Sequence, residues 1–314
     1  MGPHAHRILM KASTELASLS RVQTSSGVMG WLADLALVTK ARANLAVVAT
    51  TMTGFALASR GGLNTSCLLH TVAGTLVLAC AAAMANQAWE WHWDRSMART
   101  RNRPIPAGRM TPQAAMLLCF AMTVGGGMWL AAFAGAEAAC IGWLTFAVYV
   151  FAYTPLKRRH PLCILVGAVS GALPLWIGWS AVGSAANIWG WSALGVLFWW
   201  QVPHFLAIAW RRREDYQGAG YKVLPQADAS GRITAAWALA GAVVTSATSL
   251  APVVPFSHLS AYLVLSALLN AWLIGTAFRF LFVPSKERAS ALFRVSLWYL
   301  TGIYAAMLAC APRL

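Results

Sequence analysis

Asn86, Glu90 and Asp94 recur at every fourth position near the end of a long apolar run, and Arg95, Arg99, Arg101, Arg103 and Arg109 follow closely. Four residues of an α-helix turn through about 400°, so the three oxygen-bearing side chains share one face, about 6 Å apart along the axis. Carboxylates are costly to keep where a membrane helix meets water, which makes them a functional-site hypothesis. Hard oxygens beside dense positive charge suit a Mg²⁺ ion carrying a polyphosphate, because Mg²⁺ takes one or two carboxylates plus phosphate oxygens and waters. A single Asp–Arg pair would read as a neutralised helix end. Three oxygens in register, followed by RTRNRP, favour the metal.

Two further motifs carry polar chemistry in apolar surroundings. Tyr153-Thr-Pro-Leu-Lys157 continues into Arg158 and Arg159. Lys157 is a point cation suited to a phosphate, and Tyr153, one turn earlier, is expected to face the same cavity. An aromatic-belt tyrosine followed by cytoplasmic-side cations would look the same. Further on, Phe198-Trp-Trp-Gln-Val-Pro-His-Phe205 places Gln201 and His204 inside an apolar segment, with Pro203 between them. Such groups need polar partners; structural hydrogen bonding, proton relay and haem ligation all remain open for His204. Arg211, Arg212, Arg213, Glu214, Asp215 and Tyr216 follow, and the segment ends at Leu224-Pro225.

The elements that must position these groups are membrane helices. The chain is 59% hydrophobic and only 11% charged over 314 residues, with a mean hydropathy of +0.59, whereas soluble domains carry about 25% charged residues. Apolar stretches of spanning length, about 20 residues each, predict about nine transmembrane helices near 41–59, 66–91, 111–133, 138–156, 162–182, 187–210, 233–254, 259–282 and 291–310. The fold class is therefore an all-α polytopic membrane protein. Residues 1–33 read as a basic, Ser-rich tail expected to be disordered, and 34–314 as a single transmembrane domain. A transit peptide is the alternative for the tail.

The net charge of +15 invites a nucleic-acid partner, but its distribution rejects one. With nine spans, all Lys and Arg except Arg60 and Arg313 fall on the side of the N-terminal tail. That is the positive-inside pattern, and it predicts a cytoplasmic or matrix location for the N-terminus and the Asn86–Asp94 face. The six cysteines are scattered through apolar segments without paired spacing and read as small apolar residues.

Taken together, the three motifs resemble the UbiA superfamily of membrane prenyltransferases and, within it, the haem O synthase branch. The pattern N-x3-E-x3-D-x2-M-x-R-T-x2-R-P-x4-G is matched by Asn86, Glu90, Asp94, Met97, Arg99, Thr100, Arg103, Pro104 and Gly108. Tyr153, Thr154 and Lys157 echo Y-T-x2-L-K-R with a spacer one residue shorter. Trp200, Gln201, Pro203, His204, Phe205 and Ala207 match W-Q-x-P-H-F-x-A, and Asp215, Tyr216, Ala219, Gly220, Leu224 and Pro225 match the elements that follow. Lys40 and Arg42 echo an upstream L-T-K-x-R. Cys163 departs from the usual Asn, and Leu175 from a second proline.

The resemblance, over about residues 34–300, implies a UbiA-type bundle around a central cavity. It also implies Mg²⁺-dependent transfer of a farnesyl group from farnesyl diphosphate to a vinyl group of haem B, giving haem O for terminal oxidases. Asn86, Glu90 and Asp94 would hold Mg²⁺. Arg99, Arg103 and Lys157 would hold the diphosphate, Lys40 and Arg42 would be further substrate-binding residues, and Asp215 would bind a second Mg²⁺ or order the basic loop. Tyr153 would face a transient allylic cation, and Gln201 and His204 would lie near haem. Membrane lipid and a haem A synthase that takes the product are the other implied partners. The expected location is the bacterial inner membrane, with the mitochondrial inner membrane as the alternative. A prenyltransferase for an aromatic acceptor would share the metal site but has no evident use for Trp-Gln-x-Pro-His. A transporter would gather its polar residues at the bilayer midplane rather than at helix ends.

Overall fold

In hydrocarbon the backbone must satisfy its own polar groups, and for apolar runs of this length the helix does so. The computed structural model describes residues 27–59, 62–218, 220–254 and 260–311, and no strand occurs among them. The order is α1 (Val28–Val38), α2 (Ala41–Ala58), α3 (Thr65–Asp94), α4 (Pro112–Phe133), α5 (Ala136–Leu156), α6 (Cys163–Ser180) and α7 (Ile188–Arg211). Two short helices, α8 (Arg213–Gly218) and α9 (Leu224–Ala227), precede α10 (Arg232–Leu250), α11 (Ser260–Phe282) and α12 (Lys286–Cys310). Most of the expected tail lies outside the described residues, as do Arg60 and Arg313. Its last residues, from Val28 on, open α1.

Eight of these helices are long and apolar enough to cross a membrane. The expected first span is α2, whose 18 residues are diluted by Arg42 and Asn44 in its opening turns and by three threonines, yet it packs in the bundle with the others. The starts of several helices are written in side-chain caps. Asn64 Oδ1 accepts from Cys67 N at 3.0 Å, Thr111 Oγ1 from Ala114 N at 3.2 Å ahead of Pro112, and Asn187 Oδ1 from Trp189 N at 2.9 Å.

The bundle divides into two groups. Helices α2–α6 pack mainly on one another, as do α7, α10, α11 and α12, with α6 against α7 joining them. Small residues permit the closest approaches. A Cβ at Gly54 of α2 would collide with the Leu175 carbonyl oxygen of α6, and one at Gly178 of α6 with the Thr51 carbonyl of α2. The outer surface is apolar, with Leu117, Phe120, Leu268 and Trp298 each at least 66% exposed. That surface suits acyl chains.

Candidate active site

Asn86, Glu90 and Asp94 lie together in the last turns of α3, and none is more than 3% exposed. Each meets a cation from elsewhere in the chain. Lys40 Nζ donates to Asn86 Oδ1 at 2.5 Å, Lys157 Nζ lies 2.9 Å from Glu90 Oε2, and Arg103 Nη1 lies 2.7 Å from Asp94 Oδ2. Asn86 Nδ2 donates to Glu90 Oε2 at 3.0 Å and to Thr154 Oγ1 at 3.2 Å, which turns the amide oxygen toward Lys40. These groups line a cavity of about 240 Å³ with Met97, Arg99, Tyr149, Tyr153, Tyr216 and Tyr221. That is room for a phosphate-bearing head and a few waters, at about 30 Å³ per water.

Glu90 Oε1 is buried without a hydrogen-bond partner. An unmatched buried carboxylate oxygen is costly, and its position beside Asn86 and Asp94 fits a divalent cation. No cluster of three His, Cys, Asp or Glu exists among the described residues. A metal here would therefore take two carboxylates and one amide oxygen and complete its shell from substrate and water, which is the habit of Mg²⁺.

Lys157 is buried, which opposes its charge, but the Glu90 carboxylate outweighs this and holds its pKa well above the ordinary lysine value. Its ammonium lies 5.6 Å from the Tyr153 ring centroid and 4.9 Å from that of Tyr221. Burial pushes the Tyr221 phenol up, with the Lys157 charge pulling the other way, so it stays protonated at neutral pH.

Local backbone chemistry puts these side chains in place. Pro155 cannot donate a backbone hydrogen bond and crowds the preceding turn, and Val148–Tyr153 widens into π-helix ahead of it. The Tyr149 carbonyl receives both the Thr154 N–H and the Thr154 hydroxyl, the latter at 2.9 Å. Lys40 is the only non-glycine residue at positive φ among the described residues, at 52°. This left-handed position between α1 and α2 directs its ammonium to the cavity. The end of α1 is tied down by Gln87 Nε2, which donates to the Leu37 and Val38 carbonyls at 3.0 and 2.6 Å. Asp34 on α1 takes a two-pronged ion pair from Arg109, with Nε–Oδ2 at 2.9 Å.

The loops after α3 and α7 close by one device. Arg109 N–H bonds to Pro104 O and Gly108 N–H to Ile105 O, at 2.8 and 3.1 Å; Tyr221 N–H bonds to Tyr216 O and Gly220 N–H to Gln217 O, both at 3.1 Å. Gly108 and Gly220 sit at φ 77° and 71°, the left-handed conformation this closure needs. The two loops meet over the cavity, where Met97 and Tyr221, 6% and 4% exposed, form a small apolar cluster with Tyr216.

The third motif points elsewhere. Gln201 Nε2 donates to Ala168 O on α6 and Leu197 O on its own helix, both at 3.0 Å, in space left by Gly171. His204 Nδ1 meets Ser296 Oγ of α12 at 2.8 Å, and its ring stacks on Trp200 at 4.4 Å and faces Phe293 at 5.0 Å. Neither residue lines the polar cavity. An apolar cleft between α6 and α7 does adjoin it, sharing Tyr153, Lys157 and Tyr216 and continuing along Cys163, Gly167 and Phe205.

The remaining expected site residues separate into lining and peripheral groups. Lys40 and Arg99 line the cavity, Arg99 at its exposed rim, while Arg42 and Asp215 are exposed and do not. Arg99 and Arg103 are not stacked on one helix, because α3 ends at Asp94 and the chain then turns. Arg103 folds back on Asp94 instead. Tyr149 and Tyr221 escaped the sequence reading. The clue for Tyr149 is its place one turn before Tyr153; the clue for Tyr221 is its place directly after the turn-forming glycine.

An all-helical membrane bundle with paired carboxylates and cations around a phosphate-sized cavity defines a membrane transferase of the prenyl diphosphate type. The chain belongs to the UbiA prenyltransferase family, whose model matches residues 47–301. It is 36% identical to the protoheme IX farnesyltransferase of Opitutus terrae, covering 87% of this chain and 93% of that one. It is 37% identical to the enzyme of that name from Myxococcus xanthus, again covering 87% and 93%. Among solved structures it resembles a digeranylgeranylglyceryl phosphate synthase at 15% identity, with a TM-score of 0.76 over 90% of this chain and 99% of that one. It also resembles a UbiA homologue from Archaeoglobus fulgidus bound to GPP and Mg²⁺ at 13% identity, with a TM-score of 0.63 over 87% and 99%. At these identities the structural likeness speaks for the fold.

Proposed function

We propose that the chain transfers a farnesyl group from farnesyl diphosphate to a vinyl group of haem B, giving haem O. The observation that carries the reading is the polar cavity under Tyr153. It presents three oxygens from α3 opposite Lys40, Lys157, Arg99 and Arg103, and it adjoins an apolar cleft. Several relatives with 33–38% identity carry the name protoheme IX farnesyltransferase, which supports the acceptor.

The reaction breaks the bond between farnesyl C1 and the diphosphate oxygen, whose electron pair leaves with the diphosphate. The vinyl π-pair then bonds to C1, and the cation left beside the macrocycle is captured by water, which gives up a proton and leaves the hydroxyl of haem O. Asn86, Glu90 and Asp94 would hold a Mg²⁺ ion, which when bound supplies positive charge to the leaving diphosphate. Lys157, Lys40 and Arg99 add fixed positive charge on the same cavity wall, where a low dielectric makes it count. Tyr153 lines the cavity and its ring would steady an allylic cation. His204, with Nδ1 held by Ser296, keeps Nε2 for a haem or a proton.

The distribution of Lys and Arg supports a cytoplasmic N-terminus in a bacterial inner membrane, and a haem A synthase is the expected consumer of the product. The test is mass spectrometry of haems in membranes expressing the wild type and Asp94→Ala. Haem O with the wild type alone is expected; haem O from both would place the metal chemistry elsewhere.

A further inference from the structure

Four tyrosines line the polar cavity, Tyr149 and Tyr153 from α5 and Tyr216 and Tyr221 from the segment after α7, and Tyr221 stands out by what surrounds it. It arrives from the loop after α7, from the opposite group of helices, and crosses to the first group's carboxylates. The Gly220 turn puts it there: Tyr221 N–H closes on Tyr216 O, and the two rings meet edge to face at 5.7 Å. Its ring lies over the Lys157 ammonium, centroid to Nζ 4.9 Å, and packs against Met97. It is only 4% exposed, yet its hydroxyl makes no hydrogen bond to any described residue. A phenol oxygen left open to a cavity bonds to water or to whatever ligand fills the space. The cavity it lines holds Lys157, Arg99 and Arg103, and the ligand such a cavity takes is rich in acceptor oxygens.

The geometry points to Tyr221 as a further catalytic residue of this site, whose hydroxyl donates a hydrogen bond to an oxygen of the substrate's diphosphate while its ring holds Lys157 on the same group. The inference rests on the proposed function only for the diphosphate, not for the acceptor. No proton is transferred: the phenol donates a hydrogen bond to an anion that gains charge as the C1–O bond breaks, so the bond strengthens in the transition state.

Tyr221→Phe separates this role from packing, since it keeps the ring against Met97 and Lys157 and removes only the oxygen. Purified protein would be assayed for farnesyl transfer to haem and, separately, for binding of farnesyl thiodiphosphate and inhibition by inorganic pyrophosphate. The Phe variant should lose about 10- to 100-fold in kcat/KM, the worth of one hydrogen bond to a charged group. It should also bind pyrophosphate more weakly and melt at the wild-type temperature. Tyr221→Leu should lose more, because Lys157 then loses its ring contact. Wild-type turnover and pyrophosphate affinity in the Phe variant would overturn the proposal, including where the Leu variant is inactive, since packing alone would then explain Tyr221. If the wild type made no haem O but bound the thiodiphosphate, and Tyr221→Phe weakened that binding, the acceptor assignment would fail and the role of Tyr221 would stand.

Discussion

The ends of α3 and α7 are built alike and equipped differently. Each is a long helix running out to the same face of the bundle, and each is followed by a basic loop that closes on a left-handed glycine, Gly108 or Gly220. At the end of α3 the polar side chains are ionic: Glu90 and Asp94 are buried and matched by Lys157 and Arg103. In α7 they pair with uncharged groups: Gln201 bonds to main-chain carbonyls and His204 to Ser296. One scaffold thus provides a place for a charged leaving group and, beside it, an aromatic, uncharged surface. The farnesyl transfer proposed here needs both, a diphosphate that must be neutralised and a flat acceptor that must be stacked.

The sharpest way to break this contrast is Glu90→Gln. It keeps the shape of α3 but removes a carboxylate from the set that would hold Mg²⁺. Farnesyl transfer should fall by about 10³-fold, in line with removal of a group that stabilises transition-state charge, when haem O is followed by mass spectrometry. Wild-type turnover would erase the distinction between the two ends.

Next in size is Lys157→Met, which leaves Glu90 buried and uncompensated. Breaking a buried pair in this way costs about 3–5 kcal/mol, and the thermal midpoint of the detergent-solubilised protein should drop accordingly. The wild-type pair has a pH signature of the opposite kind. The pKa of Lys157 is raised in the folded state, so its stabilisation is fully present below the unfolded lysine value, about 10.4. It is lost only as pH climbs through the higher folded value. The pH–melting curve should therefore show no loss from this pair across the neutral range and a fall only in strong alkali.

His204→Ala should act on the other side of the contrast. Turnover with haem should drop about 100-fold, at the low end of general acid–base effects, while binding of farnesyl thiodiphosphate stays unchanged. An equal loss of diphosphate binding would show that the neutral end is not separate from the ionic one. Smallest is Asp34→Asn, which weakens a partly exposed ion pair worth about 1 kcal/mol or less. It should shift the melting temperature slightly and loosen α1, read as faster amide exchange there.

The sequence disclosed most about groups whose geometry is local. The α3 face follows from a spacing of four within one helix, and the spans follow from length and apolarity. What escaped it depends on where helices stop and on which chain segments cross. Arg99 and Arg103 read as neighbours on a helical turn only if α3 runs past Asp94; instead Thr100 Oγ1 bonds to Asp94 O at 2.9 Å and the chain bends there. Asp215 reads from its motif as a ligand for a second Mg²⁺ or an ordering group for the basic loop; in the fold it is exposed, and its neighbour Tyr216 lines the cavity. Tyr221 reaches the carboxylates only through a contact between loops more than a hundred residues apart, which no local spacing encodes.

The widened turn at Val148–Tyr153 works as a phase shifter. A π-helical turn holds one residue more than an α-turn, so everything after it is rotated by about 100° relative to an uninterrupted α-helix. Tyr149 and Tyr153 lie in the widened turn and Lys157 beyond it, so the bearing of this lysine toward Glu90 depends on the turn taking up its surplus residue. A deletion of one residue within this turn would close it to ordinary α-helix, and the lost position would offset the lost widening, so Lys157 would keep its bearing. One residue deleted between Thr154 and Lys157, where the helix is regular, would instead swing the lysine about 100° off the cavity. The widened turn is thus the one place in this helix where the sequence can gain or lose a residue without turning the buried cation from its partner.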